Sequence, residues 1–179
     1  TFAEYATDYQ KEKYLKKLLN GEMVIGLGMT EPNAGSAVTD LTTKAVQDGK
    51  GFRISGSKVF TSNSPDADIF LIYVRYHEGI NGIGSVIMDT SMPGFSKGKS
   101  SKYTNGEEWC ALYFDNVYIP EENVLLGPGG FKKQISGFNA ERIGNSARSL
   151  ALGEFAFNVA KEYALTREQF GKKICEFQG

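Results

Sequence analysis

The sequence predicts a mostly β fold with flanking helices, a barrel or sandwich running on into one long helix. Two observations predict it. From about Gly21 to Gly130, short runs of β-branched and aromatic residues alternate with turn residues. After Gly127-Pro128-Gly129-Gly130 the apolar period switches from two to 3.6. The chain's 179 residues, 41% hydrophobic and 23% charged, are ordinary for a globular protein and enough to bury a real core.

The elements follow in order. Gln10 to Leu19, "QKEKYLKKLL", reads as an amphipathic helix with Tyr14, Leu15, Leu18 and Leu19 on one side. It is too acidic for a transit peptide and has no signal-peptide core, so it reads as the tail of a preceding element. The strand runs are "MVIGLGM", "LTTKAVQ", "GFRISGSKVFT", "IFLIYVRY", "GSVIMDT" and "ALYFDNVYI". Asp48-Gly49, Asn63-Ser64-Pro65-Asp66, Asn81-Gly82 and Met92-Pro93-Gly94 punctuate them, a spacing that predicts a compact antiparallel β-domain, either a barrel or a sandwich. From Phe131 to about Thr166 there is no proline, and one long helix is expected. Phe138, Asn145, Ser149, Leu152, Ala156 and Tyr163 form one stripe, with Ile143, Ala147, Leu150 and Ala151 opposite. A helix apolar on both sides is buried from several directions, so this one calls for partners outside the chain.

Charge and special residues exclude several classes. A formal net charge of −1 gives no basic footprint for nucleic acid or an anionic membrane. No apolar stretch approaches the ~18–20 residues of a membrane span. Cys110, Cys175 and the single His77 make a metal site improbable, and so few cysteines fit a reducing compartment. His77, in "RYHEGINGIG", reads as a surface residue of a hairpin loop.

The stretch "GLGMTEPNAGS", Gly26 to Ser36, changes chemistry abruptly. A strand-like run gives way to a hydroxyl, a carboxylate, a proline and small residues. Either this is a plain loop between strands, or a large polar group such as a phosphate lies against it. Backbone N–H groups and hydroxyls make neutral anion contacts, and small side chains permit close approach.

Six segments together resemble one family, the acyl-CoA dehydrogenases. "DYQKEKYLKKLLNGE" is similar to the end of its N-terminal helical domain. "TEPNAGS" resembles its TEPGAGSD signature, "ISGSKVFTSNS" its NGxKxWITN strand and "LYFDNVYIP" its FEDVRVP strand. "GFNAERIG" and "YALTREQFGKKICEFQ" resemble the first C-terminal helix and the RxxFG turn. The resemblance implies residues 1–20 as the end of an N-terminal helical domain, 21–128 as the middle β-barrel domain, and 129–179 as the start of a C-terminal helical domain.

It also implies FAD as cofactor. Leu27, Met29, Thr30 and Ser36 take the positions that line the flavin, and Ser36 also reaches the acyl-CoA. Val59-Phe60-Thr61 takes the place of WIT, whose threonine hydroxyl bonds flavin N5 while the residues before it pack on the ring. Arg167 and Phe170 match the RxxFG residues that contact FAD across a subunit interface. Asn33 and Ala37 depart from the signature, "KYTNGEEWC" replaces a KxGxRxSDT segment, and "LLGPGGFKK" is slightly short, which places the chain in a divergent branch.

The family reaction needs a carboxylate base whose pKa is raised in a dry pocket, and donors that polarise the thioester oxygen. In the isovaleryl- and long-chain-type members the base precedes an arginine on this helix, which Glu141-Arg142 matches; in many others it lies later in the C-terminal domain. From Phe138, Glu141 falls about 60° to one side and Arg142 about 40° to the other, so both border one cleft. Ser36, Asn139 and Arg142 are the substrate-side expectations. The resemblance implies α,β-dehydrogenation of an acyl-CoA, electron transfer to an electron-transfer flavoprotein, and a homotetramer or homodimer in a bacterial cytoplasm or mitochondrial matrix. The alternatives are an acyl-CoA oxidase or flavin monooxygenase of the same fold, and a non-catalytic β-barrel binding module.

Overall fold

The computed structural model describes residues 2–178, which pack as two units, one up to Ser136 and one from Gly137 onward. The first unit opens with α1 (Phe2–Tyr5), α2 (Asp8–Gln10), a wide π turn at Lys11–Leu15 and α3 (Lys16–Leu19). Nine strands follow: β1 (Ile25–Gly28), β2 (Lys44–Asp48), β3 (Gly51–Ser62), β4 (Ile69–Arg75), β5 (Ile83–Asp89), β6 (Phe95–Lys97), β7 (Ser101–Lys102), β8 (Glu108–Pro120) and β9 (Val124–Leu126). They form one sheet in the order β6-β8-β3-β2-β4-β5-β9, with β1 added beside β4 and β7 beside β8.

The sheet is mixed, which corrects the expectation of an antiparallel domain. β1 runs parallel to β4, from Ile25 opposite Ile69 to Gly28 opposite Ile72, and β2 meets β4 in parallel at Lys44 and Arg75. A parallel neighbour needs a long connection, and here the β2–β3 hairpin lies between β1 and β4 in the chain.

β4 and β5 are buried on both faces, which is why "IFLIYVR" and "IGSVIMD" read as continuous apolar runs. Phe70, Ile72, Val74, Val86 and Met88 join Ile54, Leu112, Phe114, Val117 and Ile119 in one core. Ile69, Leu71 and Ile87 face the other way, onto Ala6, Tyr14, Leu125 and Leu126. The N-terminal helices therefore cover the second face of the sheet. A Thr7–Gln10 capping box starts α2, and the buried Gln10 amide donates to the Glu122 and Val124 carbonyls at 2.8 and 2.9 Å. The π turn rotates the stripe expected from the sequence. Tyr14 and Leu18 face inward, while Leu19 is exposed.

The expected single helix from Phe131 is broken. α4 (Phe131–Ser136) belongs to the first unit, where Gln134 accepts from Ser85 Oγ of β5 at 2.7 Å. At its end the Ser136 hydroxyl turns back to the Lys133 carbonyl, and Gly137 separates it from α5 (Phe138–Thr166). α5 has no buried residue. A small hairpin, β10 (Glu168–Gln169) with β11 (Lys172–Lys173), and a 3-10 turn at Ile174–Glu176 complete the second unit. No helix among the described residues is long and apolar enough to cross a membrane.

Candidate functional site

The end of β1 forms an exposed shelf. Gly26 and Gly28 are buried, and a Cβ on Gly28 would sit 2.6 Å from Ile72 Cδ1, so any side chain there would have to push the end of Ile72 aside. Leu27 faces outward and is exposed; Met29 and Thr30 are half-buried. Thr30 then meets β3, its carbonyl accepting from Val59 N–H at 2.9 Å. Beyond it Glu31 and Ala34 exchange backbone hydrogen bonds at 3.1 Å in both directions, which folds the loop and leaves Gly35 and Ser36 exposed.

Beneath the shelf lies a buried ion pair. Lys58 Nζ donates to Glu31 Oε1 at 2.8 Å and to the Met29 carbonyl at 3.2 Å. Glu31 also accepts from Thr42 N–H, Thr42 Oγ1 and Thr43 N–H at 2.6, 2.8 and 3.0 Å. Burial alone would raise the Glu31 carboxyl, but the Lys58 ammonium and these donors outweigh it and hold it down at about 2. Burial lowers Lys58 to about 8 against the pull of Glu31. Both stay charged at neutral pH and cancel each other, so neither presents net charge to the shelf.

β3 ends in a bulge. Its pairing with β8 shifts register between Lys58 and Thr61, and Phe60 has a φ of 55°. For a bulky residue this left-handed backbone is a genuine outlier. The bulge throws the Phe60 ring outward, 56% exposed, with the Trp109 ring 4.6 Å away, while Val59 is half-buried. The shelf thus combines exposed apolar side chains with hydroxyls and backbone polar groups over an internally neutralised base. A flat aromatic ring system with a polar tail, such as a flavin nucleotide, fits that chemistry. One further residue braces the neighbourhood. The Arg75 guanidinium donates to the carbonyls of Leu41, at 2.9 Å, Gly79, at 3.0 Å, and Thr39, tying the segment after the shelf loop to the β4–β5 connection.

In the second unit, Glu141, Asn139 and Arg142 are exposed on the first turns of α5. Arg142 Nη1 donates to Asn139 Oδ1 at 2.9 Å. Arg167 closes the end of α5, its N–H bonding the Tyr163 carbonyl. Phe170 and Gly171 form the two-residue turn between β10 and β11, with φ of 49° and 74°. A primed turn wants asparagine or glycine first, yet here the first residue is a phenylalanine that is 95% exposed.

Residues 26–117 match the family model "Acyl-CoA dehydrogenase, middle domain", and residues 128–179 match "Acyl-CoA dehydrogenase, C-terminal domain". The chain belongs to the acyl-CoA dehydrogenase family. It is 38% identical over 174 residues to a mitochondrial isovaleryl-CoA dehydrogenase of Oryza sativa subsp. japonica, covering 94% of this chain and 42% of that protein. Among solved structures it is similar to a probable acyl-CoA dehydrogenase from Mycobacterium abscessus, at a TM-score of 0.94 and 30% identity, covering 99% of this chain and 48% of that one. It is also similar to a glutaryl-CoA dehydrogenase from Mycobacterium smegmatis in complex with FADH2, at a TM-score of 0.90 and 26% identity, covering 99% and 46%. The chain spans less than half the length of these relatives.

Within the acyl-CoA dehydrogenase frame, Thr61 is set apart from the other candidate residues by its burial. Thr61 is 1% exposed, and its hydroxyl has no hydrogen-bond partner among the described residues. A side chain sealed in the interior cannot offer its hydroxyl to a ring on the shelf. Ser62, the next residue, is exposed. Counting from Lys58 as the lysine of NGxKxWITN places the aromatic at Phe60 and the hydroxyl at Ser62. Across the bulge Phe60 and Ser62 are exposed on either side of the buried Thr61. The Glu31–Lys58 pair, Arg75 and Trp109 did not stand out as site residues in the sequence. The signal was a carboxylate beside proline and a lysine in the middle of a strand, each too costly to bury alone.

Proposed function

We propose that the protein carrying this segment converts an acyl-CoA thioester to the 2-enoyl-CoA. The observation that carries the reading is the exposed, internally neutralised shelf of Leu27, Met29, Thr30, Ser36, Val59 and Phe60, in a chain of this family. FAD, when bound, supplies the two-electron acceptor for the β-hydride. The chain's own residues would bind and orient it: the apolar side chains of the shelf would pack on the ring, Thr30 and Ser62 would offer hydroxyls, and Ser36, exposed at the loop tip, would serve the phosphates and the substrate. Arg167 and Phe170 serve FAD in a neighbouring subunit of a homodimer or homotetramer. An electron-transfer flavoprotein takes the electrons onward.

Glu141 is the base. Its carboxylate is exposed on α5 and takes part in none of the ion pairs of the described residues. Enclosure by the rest of the protein would strip water from it, as proton abstraction from carbon requires. Asn139 and Arg142, held to each other, are donors on the substrate side. Residues 1–20 are read as the end of a preceding helical domain and 129–179 as the opening of a following one. The 179-residue chain alone is expected to bind FAD weakly or not at all and to dehydrogenate no acyl-CoA.

The test is Glu141→Gln in the complete protein, which keeps size and removes the proton acceptor. Loss of a general base costs about 10²–10⁴ in rate. Bleaching of the flavin absorbance by substrate should slow by at least that much while the acyl-CoA complex still forms. Bleaching within about tenfold of the parent rate would place the base elsewhere.

A further inference from the structure

The backbone of Phe60 is held in a conformation that its side chain disfavours, and the structure contains a clamp for it. Tyr103 Oη donates to the Phe60 carbonyl at 3.0 Å across 43 residues of sequence. Tyr103 sits in the tight turn between β7 and β8, where its N–H bonds the Glu107 carbonyl and its carbonyl accepts from Gly106, each at 2.9 Å. Gly106 takes the left-handed φ of 87° that closes the turn, and the Lys102–Glu108 ion pair at 3.1 Å flanks it. Trp109, just past the turn, lies between the two rings, with centroids 4.6 Å from Phe60 and 6.1 Å from Tyr103. The turn therefore delivers one hydrogen bond and one aromatic face to the same strained residue. This is the "KYTNGEEWC" segment, in which the chain departs from the usual family pattern.

We propose that Tyr103 is a positioning residue: its hydroxyl, bonded to the Phe60 carbonyl, holds the left-handed bulge that turns Phe60 outward and presents Ser62 at the cofactor-facing edge. The ladder pairs Lys58–Leu112 and Thr61–Cys110 fix the two ends of the bulge, and between them the Tyr103 bond and ring packing hold the Phe60 peptide itself. Without the bond the bulged peptide is freer to rotate, which lets the phenylalanine ring swing and the Ser62 hydroxyl shift. The clamp rests on the flavin reading of the shelf, but its effect on the backbone can be measured without a flavin.

The experiment uses the complete protein with Tyr103→Phe, which keeps the ring against Trp109 and deletes only the donor. Amide hydrogen exchange at Thr61, Ser62 and Asn63 should quicken about three- to tenfold, the range expected for one neutral hydrogen bond, while β4 and β5 stay unchanged. The FAD dissociation constant should rise by a similar factor, and the visible circular dichroism of the bound flavin should change. In a Phe60→Gly background the clamp has nothing to oppose, because glycine adopts positive φ freely. Adding Tyr103→Phe there should alter exchange by less than about twofold. Unchanged exchange in the Tyr103→Phe protein, or an equal effect in both backgrounds, overturns the proposal. Parent protein that binds no FAD overturns the flavin reading instead, while the exchange result still decides the role of Tyr103.

Discussion

The shelf rests on two buried charges, Glu31 and Lys58, and their energetics set how the loop responds to acid. The folded value of Glu31, about 2, lies below the ordinary 4.5. A carboxylate of this kind contributes its full stabilisation above the unfolded pKa and loses it as the pH falls through the folded one. The window in which this contribution is lost is therefore pH 4.5 to about 2. Urea unfolding followed across that window should show the midpoint falling with acid. Glu31→Gln should lower stability at pH 7 by about 3–5 kcal/mol, because Lys58 is left buried without its counter-charge. The same change should flatten the acid slope. A parent and variant with parallel acid slopes would mean that other carboxylates dominate. This pair also marks where the sequence stops being legible. Motif chemistry points to Thr30 and Ser36, but a lysine inside an alternating strand looks like a solvated one until its partner, 27 residues earlier, is seen to share its pocket. Thr61 is a different case: resemblance sets it in place of the motif's threonine and it lies buried, whereas the same motif counted from Lys58 falls on the exposed Ser62.

At the scale of elements, the strands were legible because β4 and β5 carry unbroken apolar runs and the turns carry glycine, proline and asparagine. Their parallel pairing was not, since alternation records burial and not direction. The N-terminal helix was legible in extent but not in phase, because a π turn spreads the stripe that a 3.6-residue period assumes. What docks it is a polar residue, Gln10, whose amide satisfies two carbonyls next to β9. Replacing Gln10 with alanine removes both hydrogen bonds, at a cost of about 1–3 kcal/mol. Gln10→Glu should do worse, since a carboxylate would face two carbonyl oxygens. Thermal unfolding of the three proteins should therefore rank parent, alanine, glutamate. A glutamate variant as stable as the parent would show that the amide is not the fastening.

At the scale of the whole molecule, the two units differ in how far they satisfy themselves. The first unit has two apolar clusters on opposite faces of β4 and β5 and a helix over the second. The second has a 29-residue helix without one buried side chain, on which Ile143, Leu150, Leu152, Phe155 and Phe157 are each more than 60% exposed. Apolar surface of that extent on a lone chain drives association. The periodicity foretold this, because a helix apolar on both sides implies neighbours on both sides. The 179-residue chain prepared alone should therefore self-associate, seen as a rising apparent mass with concentration in light scattering, and should bind a hydrophobic dye. A chain ended at Ser136 keeps both clusters and α4, so it should be monomeric, dye-free and β-rich by circular dichroism. If the longer chain is monomeric and dye-free as well, α5 finds cover within the chain itself. If the shorter chain aggregates to the same degree, the exposed face lies on the sheet instead, and the Phe60–Leu27 shelf becomes the surface that needs an occupant.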